Sequence, residues 1–155
     1  MIKLKEGDKA PNFTGSDQDG NSITLEQFMG NGIILFFYLQ DCFSGCAAGC
    51  ALRNNFSNWA DKGFKIIGVC NNNFEEQRNF ILQNSLPFTL VADPDKRIAH
   101  KYGGWGIDEK LESLLHAAFK ISRGGYIEKI LTDVSYNKNL NQIEFLKRLN
   151  LEYLN

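Results

Sequence analysis

The sequence Ile33-Ile34-Leu35-Phe36-Phe37-Tyr38 runs into a cluster of cysteines with a spacing of four, Cys42-x3-Cys46-x3-Cys50. The first six residues are apolar without alternation, which is typical of a central strand covered on both faces. Apolar positions after the cluster recur at helical spacing, so the cysteines fall at a predicted strand-to-helix junction. Because a helix N-terminus presents free N–H groups and the positive end of the macrodipole, a thiolate there is stabilised and can act as a nucleophile or a ligand.

The rest of the chain predicts an alternation of strands and helices. Further runs with strand character are Phe64–Val69, Phe88–Val91, Ala117–Ile121 and Tyr126–Leu131. One helix is predicted from an apolar stripe within 48–60, and two later ones from the capping boxes Asn73-x2-Glu76 and Asn141-x2-Glu144. Helices between strands imply right-handed crossovers, and the last two strands are expected to form a hairpin. The sequence therefore predicts an α/β, thioredoxin-like fold with a central mixed sheet flanked by helices.

Composition limits the classes of partner. The chain has 155 residues, 43% of them hydrophobic, which predicts a single domain over 1–155. A formal charge of −1 and a pI near 6.1 provide no basic surface for nucleic acid or anionic lipid. The first residues lack a signal-peptide apolar core, and no apolar run has the roughly 18 residues of a membrane span. We expect a cytoplasmic protein, a monomer or weak dimer without a cofactor, in which clustered cysteines indicate redox or metal chemistry.

The helical spacing places two of the thiols on one face. If the helix begins near residue 44, then Cys46, Cys50 and Arg53 share a stripe that is displaced from the core-facing stripe. A Cys46–Cys50 disulfide is feasible after some loosening of the first turn, and Cys42 is an alternative partner at the same spacing. Cys46 lies closer to the positive end of the dipole, which makes it the better nucleophile and Cys50 the better resolving thiol. The simplest alternative for any cysteine is core packing, and that is our interpretation of Cys70.

Several motifs together resemble the peroxiredoxin family, in particular its bacterioferritin-comigratory or Q type. The resemblance extends from about Leu4 to Leu149. Its matching pieces are Lys5-Glu6-Gly7-Asp8-Lys9-Ala10-Pro11-Asn12-Phe13, Asp17-Gln18-Asp19-Gly20, Phe36-Phe37-Tyr38, Gly45-Cys46, Leu52-Arg53, Ile67-Gly68-Val69, Leu86-Pro87-Phe88, Asp93-Pro94-Asp95 and Tyr102-Gly103. The resemblance implies a thioredoxin-like fold and a cysteine, here Cys46, that attacks a peroxide and becomes a sulfenic acid. It also implies a second cysteine, here Cys50, that forms a disulfide for a thioredoxin-like reductant to reduce.

The chain departs from the family motif around the reactive cysteine. Family members carry Pro-x3-Thr-x2-Cys, and aligning its cysteine on Cys46 places Leu39 at the proline and Phe43 at the threonine. The family's arginine falls on His116, and the spacing from Cys46 to Cys50 is one residue shorter than in many members. Because donors to the leaving oxygen are missing, we expect weak peroxidase activity.

Two side chains are candidates for a supporting role near the thiols. Arg53 leans toward the helix N-terminus and can approach Cys50, although a solvated helix charge is an equally simple interpretation. His116 could supply part of the missing cation, against the simpler interpretation of a packed strand histidine. His100 is expected at the surface.

Three functions are compatible with these residues. The first is a divergent thiol peroxidase that uses Cys46 and Cys50. The second is a thiol-disulfide oxidoreductase or redox sensor, for which a cysteine pair suffices. The third is a copper or zinc binding protein that resembles the Sco type, with Cys42, Cys46 and His116 as ligands, because thiolate and imidazole suit both metals.

Overall fold

The computed structural model describes residues 4–38, 60–61, 63–70, 75, 89–95, 97–102 and 117–132. The described strands, in chain order, are β1 Thr14–Asp17, β2 Ser22–Thr24, β3 Gly32–Tyr38, β4 Phe64–Cys70, β5 Thr89–Ala92, β6 Ala117–Ile121 and β7 Ile127–Thr132. A 3-10 helix, Leu25–Phe28, follows β2, and one six-residue α-helix, α1, spans Arg97–Tyr102. No helix within these ranges is long and apolar enough to cross a membrane.

The seven strands form one mixed sheet in the order β2-β1-β5-β4-β3-β6-β7. Strands β3, β4 and β5 are parallel, whereas β1, β2, β6 and β7 join by antiparallel pairing. Parallel neighbouring strands must be joined by crossover connections. The helices that the sequence predicts between these strands would form those connections. The prediction of a mixed sheet is confirmed.

The apolar run from Ile33 to Tyr38 forms most of β3, in the interior of the sheet. Strand β3 lies between parallel β4 and antiparallel β6, and its residues from Ile33 to Phe37 are fully buried. Side chains of successive strand residues point to opposite faces, so both faces of β3 are covered. The absence of polar alternation in β3 follows directly from this position.

One face of the sheet carries the described core. Alternate residues of β3 pack there with the N-terminal segment and with α1, and this cluster includes Phe13, Leu35, Phe37, Tyr102 and Phe119. The other face carries Ile34 and Phe36, and both are fully buried.

The five predicted strands are observed with shifts of about one residue at their ends. The expected hairpin is present as β6 and β7, joined by a turn at Gly124 and Gly125. Gly125 has a φ of 92°, in the left-handed region that favours glycine. The three predicted helices lie almost wholly outside the described residues. They are the helix with the apolar stripe within 48–60 and the two helices with capping boxes near residues 73 and 141.

Strands β1 and β2, the 3-10 helix and α1 were not predicted. These elements are three to six residues long, too short to display a periodicity. Gly15 in β1 shows what the pairing requires, because a Cβ there would lie 2.5 Å from Cγ1 of Val91. The close approach of β1 to β5 therefore depends on a glycine.

Candidate active site

The three parallel strands end level with one another at one edge of the sheet. Tyr38 of β3 is in register with Cys70 of β4, and Cys70 is in register with Ala92 of β5. We call this line of strand ends the carboxyl edge. In open α/β sheets the carboxyl ends of the strands are the usual place for a functional site. The chain leaves β3 at this edge and continues into the sequence that contains Cys42, Cys46 and Cys50.

Strand β6 starts at the same edge. It runs antiparallel to β3, with Ala118 opposite Phe36, so its first residue, Ala117, belongs to the carboxyl edge. His116 is the residue before Ala117 in the sequence. The segments that contain the thiols and the histidine are therefore both connected to described strands at the carboxyl edge.

An aromatic layer supports this edge from the core face. The Tyr102 ring lies 5.6 Å from the Phe37 ring and 5.1 Å from the Phe119 ring, and the Phe37 and Phe119 rings are 5.9 Å apart. Phe13 completes the layer at 6.3 Å from Tyr102. Three of these four contacts are edge-to-face, an arrangement that is favourable for aromatic rings, and the Phe37–Tyr102 contact is tilted by 46°. Phe37 is the penultimate residue of β3, so the layer packs directly beneath the carboxyl end of that strand.

Tyr102 is anchored by its polar end as well as by its ring. The side chain is fully buried, and its hydroxyl donates a hydrogen bond of 2.6 Å to the carbonyl oxygen of Pro11. Burial raises the pKa of Tyr102 above its ordinary value, because the phenolate would lose its hydration. Tyr102 is thus a neutral structural hydrogen-bond donor at all physiological pH values.

Asp93 is a buried carboxyl group at the carboxyl edge. It follows β5 directly, is 4% exposed, and accepts hydrogen bonds from the backbone N–H groups of Ile98 (3.1 Å) and Ala99 (3.0 Å). These bonds satisfy two donors in the first turn of α1. Burial raises the pKa of Asp93, and this effect outweighs the backbone N–H groups that lower it. Asp93 therefore fixes the position of α1 and, through α1, that of Tyr102.

The residues that the sequence predicted as the site lie outside the described residues. They are Cys42, Phe43, Cys46, Cys50, Arg53 and His116. Their mutual distances and roles stay predictions, including the alternative metal set. Of Cys70 the structure describes the backbone at the end of β4, and His100 is exposed on α1 as expected. Among the described residues, no group of His, Cys, Asp and Glu side chains could hold a metal ion.

Sequence reasoning assigned no role to the two residues that organise the carboxyl edge, Asp93 and Tyr102. Asp93-Pro94-Asp95 lies just before a short helix, and an aspartate in that position is a recognisable capping signal. Tyr102 is the last residue of α1 and has no comparable local signal, because its partners are distant in sequence.

A parallel sheet centre that leads at its carboxyl edge into clustered cysteines is typical of proteins that use thiol chemistry in a thioredoxin-like fold. The comparison with solved structures shows this fold. Peroxidoxin BcpB from Mycobacterium tuberculosis superimposes with a TM-score of 0.78 at 20% sequence identity, over 97% of this chain and 96% of that one. A putative thiol:disulfide interchange protein DsbE from Chlorobium tepidum gives 0.77 at 23% identity, over 99% and 100%.

Residues 6–130 match the AhpC/TSA family, and the chain belongs to that family. Among its relatives, peroxiredoxin Bcp of Escherichia coli (strain K12) is 30% identical over 138 residues, which cover 86% of this chain and 88% of the relative. The resemblance to Q-type peroxiredoxins that the motifs indicated is thereby confirmed.

Proposed function

We propose that this protein is a thiol peroxidase in which Cys46 reduces hydrogen peroxide or an organic hydroperoxide. The observation that carries the proposal is the course of β3, which ends at the carboxyl edge immediately before the cysteine cluster in a chain of the AhpC/TSA family. The Cys46 thiolate attacks one peroxide oxygen, the O–O bond breaks, and the leaving oxygen takes a proton to become water or an alcohol. The sulfur is left as a sulfenic acid.

In the second step Cys50 resolves the sulfenic acid. Its thiol attacks the Cys46 sulfur, a disulfide forms, and the hydroxyl group leaves as water. A thioredoxin-like dithiol then reduces the disulfide and is itself oxidised. Cys42 is the alternative resolving residue, since it lies the same number of residues from Cys46.

The activity is proposed to be weak. Leu39, Phe43 and His116 occupy the positions at which the family has proline, threonine and arginine. Without the threonine and arginine donors, Cys46 would depend on the dipole of the predicted helix, which contributes about 0.3–2 kcal/mol. The loss of one preorganised donor to a developing oxyanion costs about 2.7–4 kcal/mol in comparable sites. Arg53 and His116 are the candidates for partial replacement.

The same substitutions favour thiol-disulfide exchange as a second candidate function. Exchange requires a dithiol with an accessible thiolate and does not require donors to a peroxide oxygen. A copper or zinc site formed by Cys42, Cys46 and His116 is the remaining alternative.

We further propose a single domain over 1–155 that acts as a monomer or weak dimer, without nucleic acid, membrane or cofactor. The net charge of −1 supports the absence of nucleic acid as a partner. A cycle that regenerates free thiols supports a reducing compartment such as the cytoplasm.

The test is consumption of hydrogen peroxide and of cumene hydroperoxide, coupled to thioredoxin and its reductase. We expect turnover in the wild type, loss in Cys46→Ser, and a stalled, sulfenic or sulfinic Cys46 in Cys50→Ser. Cys70→Ser is the matched control and should retain turnover. Full activity in Cys46→Ser would refute the assignment. Inactivity with both peroxides, together with reduction of a disulfide substrate, would support the exchange function instead.

A further inference from the structure

A cavity lies beside the β6–β7 turn, near the amino end of β3. It has a volume of about 400 Å³ and is lined by residues that include Lys9, Asn12, Leu25, Glu26, Met29 and Gly125. Gly125 belongs to the β6–β7 turn, beside the amino end of β3. The seven residues of β3 separate the Gly125 end of the cavity from the carboxyl edge by about 20 Å, whereas Pro11 in its lining accepts the hydrogen bond from Tyr102. We call it the amino-edge cavity.

The walls of the amino-edge cavity are held together by hydrogen bonds. Ala10 N–H donates to the Gly125 carbonyl (2.8 Å), which joins the N-terminal segment to the β6–β7 turn. Leu25 N–H donates to the Phe13 carbonyl (3.2 Å), which joins the same segment to the 3-10 helix. Because each wall is fixed to another, a ligand would find the cavity already formed and would not have to order it.

The floor of the cavity is apolar. Leu25 is fully buried, Ala10 is 5% exposed, and Met29 packs partly buried against the core. The volume falls near the lower end of the roughly 300–1,000 Å³ of small-molecule sites. An occupant should therefore be small and should have an apolar part.

The rim of the cavity carries two opposite charges that have no ion-pair partner among the described residues. Lys9 and Glu26 are both exposed, and neither forms an ion pair with any part of the chain that the structure describes. Asn12 adds a neutral donor. Its Oδ1 accepts from the Glu26 N–H (3.1 Å), its backbone carbonyl accepts from Lys101 Nζ (3.0 Å), and its Nδ2 has no acceptor among the described residues.

We propose that the amino-edge cavity binds a small zwitterion with an apolar side chain, of the α-amino acid class. Lys9 and the Asn12 amide would receive its carboxylate, Glu26 its ammonium, and Leu25 and Met29 its side chain. Charge complementarity decides the class, because a purely anionic ligand would meet Glu26 and a purely cationic one would meet Lys9. The proposal does not depend on the function of the cysteines.

Three probes of similar size test the two charges separately. L-leucine carries both charges, L-leucinamide lacks the carboxylate, and 4-methylpentanoate lacks the ammonium. Binding is measured by amide chemical-shift changes of the reduced full chain on titration at pH 7. The variants are Lys9→Gln and Glu26→Gln. Lys5→Gln and Glu6→Gln are matched controls, since both residues are exposed in the same segment and lie outside the cavity lining.

We expect the wild type to bind leucine with a dissociation constant of about 1 mM or tighter, with shifts at residues of the cavity. Each analogue should bind up to about fivefold more weakly, the size of an exposed ion pair. Lys9→Gln should reduce the preference for leucine over leucinamide, and Glu26→Gln should reduce the preference for leucine over 4-methylpentanoate, whereas the controls keep the wild-type preferences. No saturable shift up to about 10 mM leucine, or equal binding of all three probes to the wild type, would overturn the proposal.

Discussion

The Tyr102 hydroxyl donates a 2.6 Å hydrogen bond to the Pro11 carbonyl, which lies 91 residues earlier in the chain. The bond connects the end of α1 to the N-terminal segment, while the ring of the same residue packs on Phe37 and Phe119. One side chain thus joins the N-terminal segment, α1 and the two central strands β3 and β6. Removal of this side chain should therefore destabilise the whole fold.

Tyr102→Phe should lower the free energy of unfolding by about 0.5–1.5 kcal/mol, the usual net contribution of one hydrogen bond. The ring and its contacts remain, but the partly buried Pro11 carbonyl loses its donor. Urea unfolding followed by far-UV circular dichroism measures the change. Tyr126→Phe is the matched control, since Tyr126 is 53% exposed, and it should stay within about 0.5 kcal/mol of the wild type. Equal effects of the two substitutions would contradict the anchoring role.

Asp93→Asn should destabilise the protein at neutral pH by about 0.5–2 kcal/mol, the typical loss for a helix cap. The two carboxylate oxygens of Asp93 each accept from a different backbone N–H, and an amide can offer only one oxygen. Asp95→Asn is the control, because its ion pair with Arg97 is exposed and contributes little. A loss in Asp95→Asn as large as in Asp93→Asn would show that the cap is not the stabilising element.

Titration of Asp93 should contribute to the pH dependence of the free energy of unfolding. Burial raises its folded-state pKa above the ordinary value of 3.8, so the folded protein binds more protons than the unfolded chain between these two pKa values. Stability from this carboxyl is fully present below pH 3.8 and is lost as the pH rises to the folded-state pKa. The stability of the wild type relative to Asp93→Asn should therefore decrease across this interval. Carbon-13 NMR of the Asp93 carboxyl measures the same pKa directly, and a midpoint below 3.8 would refute the expectation.

The Lys120–Glu128 pair should respond unequally to the removal of its two partners. The Lys120 ammonium lies 3.4 Å from Glu128 and 5.8 Å from the Phe64 ring centre, with its side chain 11% exposed against 46% for Glu128. Glu128→Gln leaves a nearly buried charge without its counterion and should cost about 1 kcal/mol or more. Lys120→Met keeps the apolar stem and removes the buried charge, so it should be neutral or stabilising. Chemical denaturation of both variants and of the double variant gives the comparison, and a larger loss in Lys120→Met would contradict it.

The sequence predicts the interior strands of the sheet and the final hairpin but not the two short strands β1 and β2. Strand β3 was recognised because residues 33–38 are apolar on both faces, and β6–β7 because Gly124 and Gly125 mark a turn between two strand patterns. Strands β1 and β2 are held by pairing with neighbouring strands, such as Ser16 opposite Ala92. The sequence of such a short strand does not indicate which strand it pairs with. The anchoring of Tyr102 likewise depends on a contact across the whole chain.

For the site, the sequence predicts the type of chemistry but not the arrangement of the side chains. The spacing of Cys46 and Cys50 after an apolar run predicts nucleophilic thiols, and this stays a prediction because both residues lie outside the described part of the chain. The hydrogen bonds that would activate a peroxide depend on three-dimensional placement of side chains, which a one-dimensional pattern does not contain. Substitution at the departing positions is therefore the most direct way to examine them.

Phe43→Thr combined with His116→Arg should accelerate oxidation of Cys46 by hydrogen peroxide at least about tenfold, equivalent to about 1.4 kcal/mol in the barrier. The substitutions restore a hydroxyl and a fixed cation at the two positions where the family motif has them, and each adds a donor for the leaving oxygen. Stopped-flow loss of the reduced Cys46 thiol measures the second-order rate constant. Phe43→Val with His116→Arg is the matched control, because valine has the shape of threonine without the hydroxyl and should recover less of the rate. An unchanged rate in a correctly folded double variant would show that these positions serve a function other than peroxide reduction, and disulfide exchange would then become the favoured function.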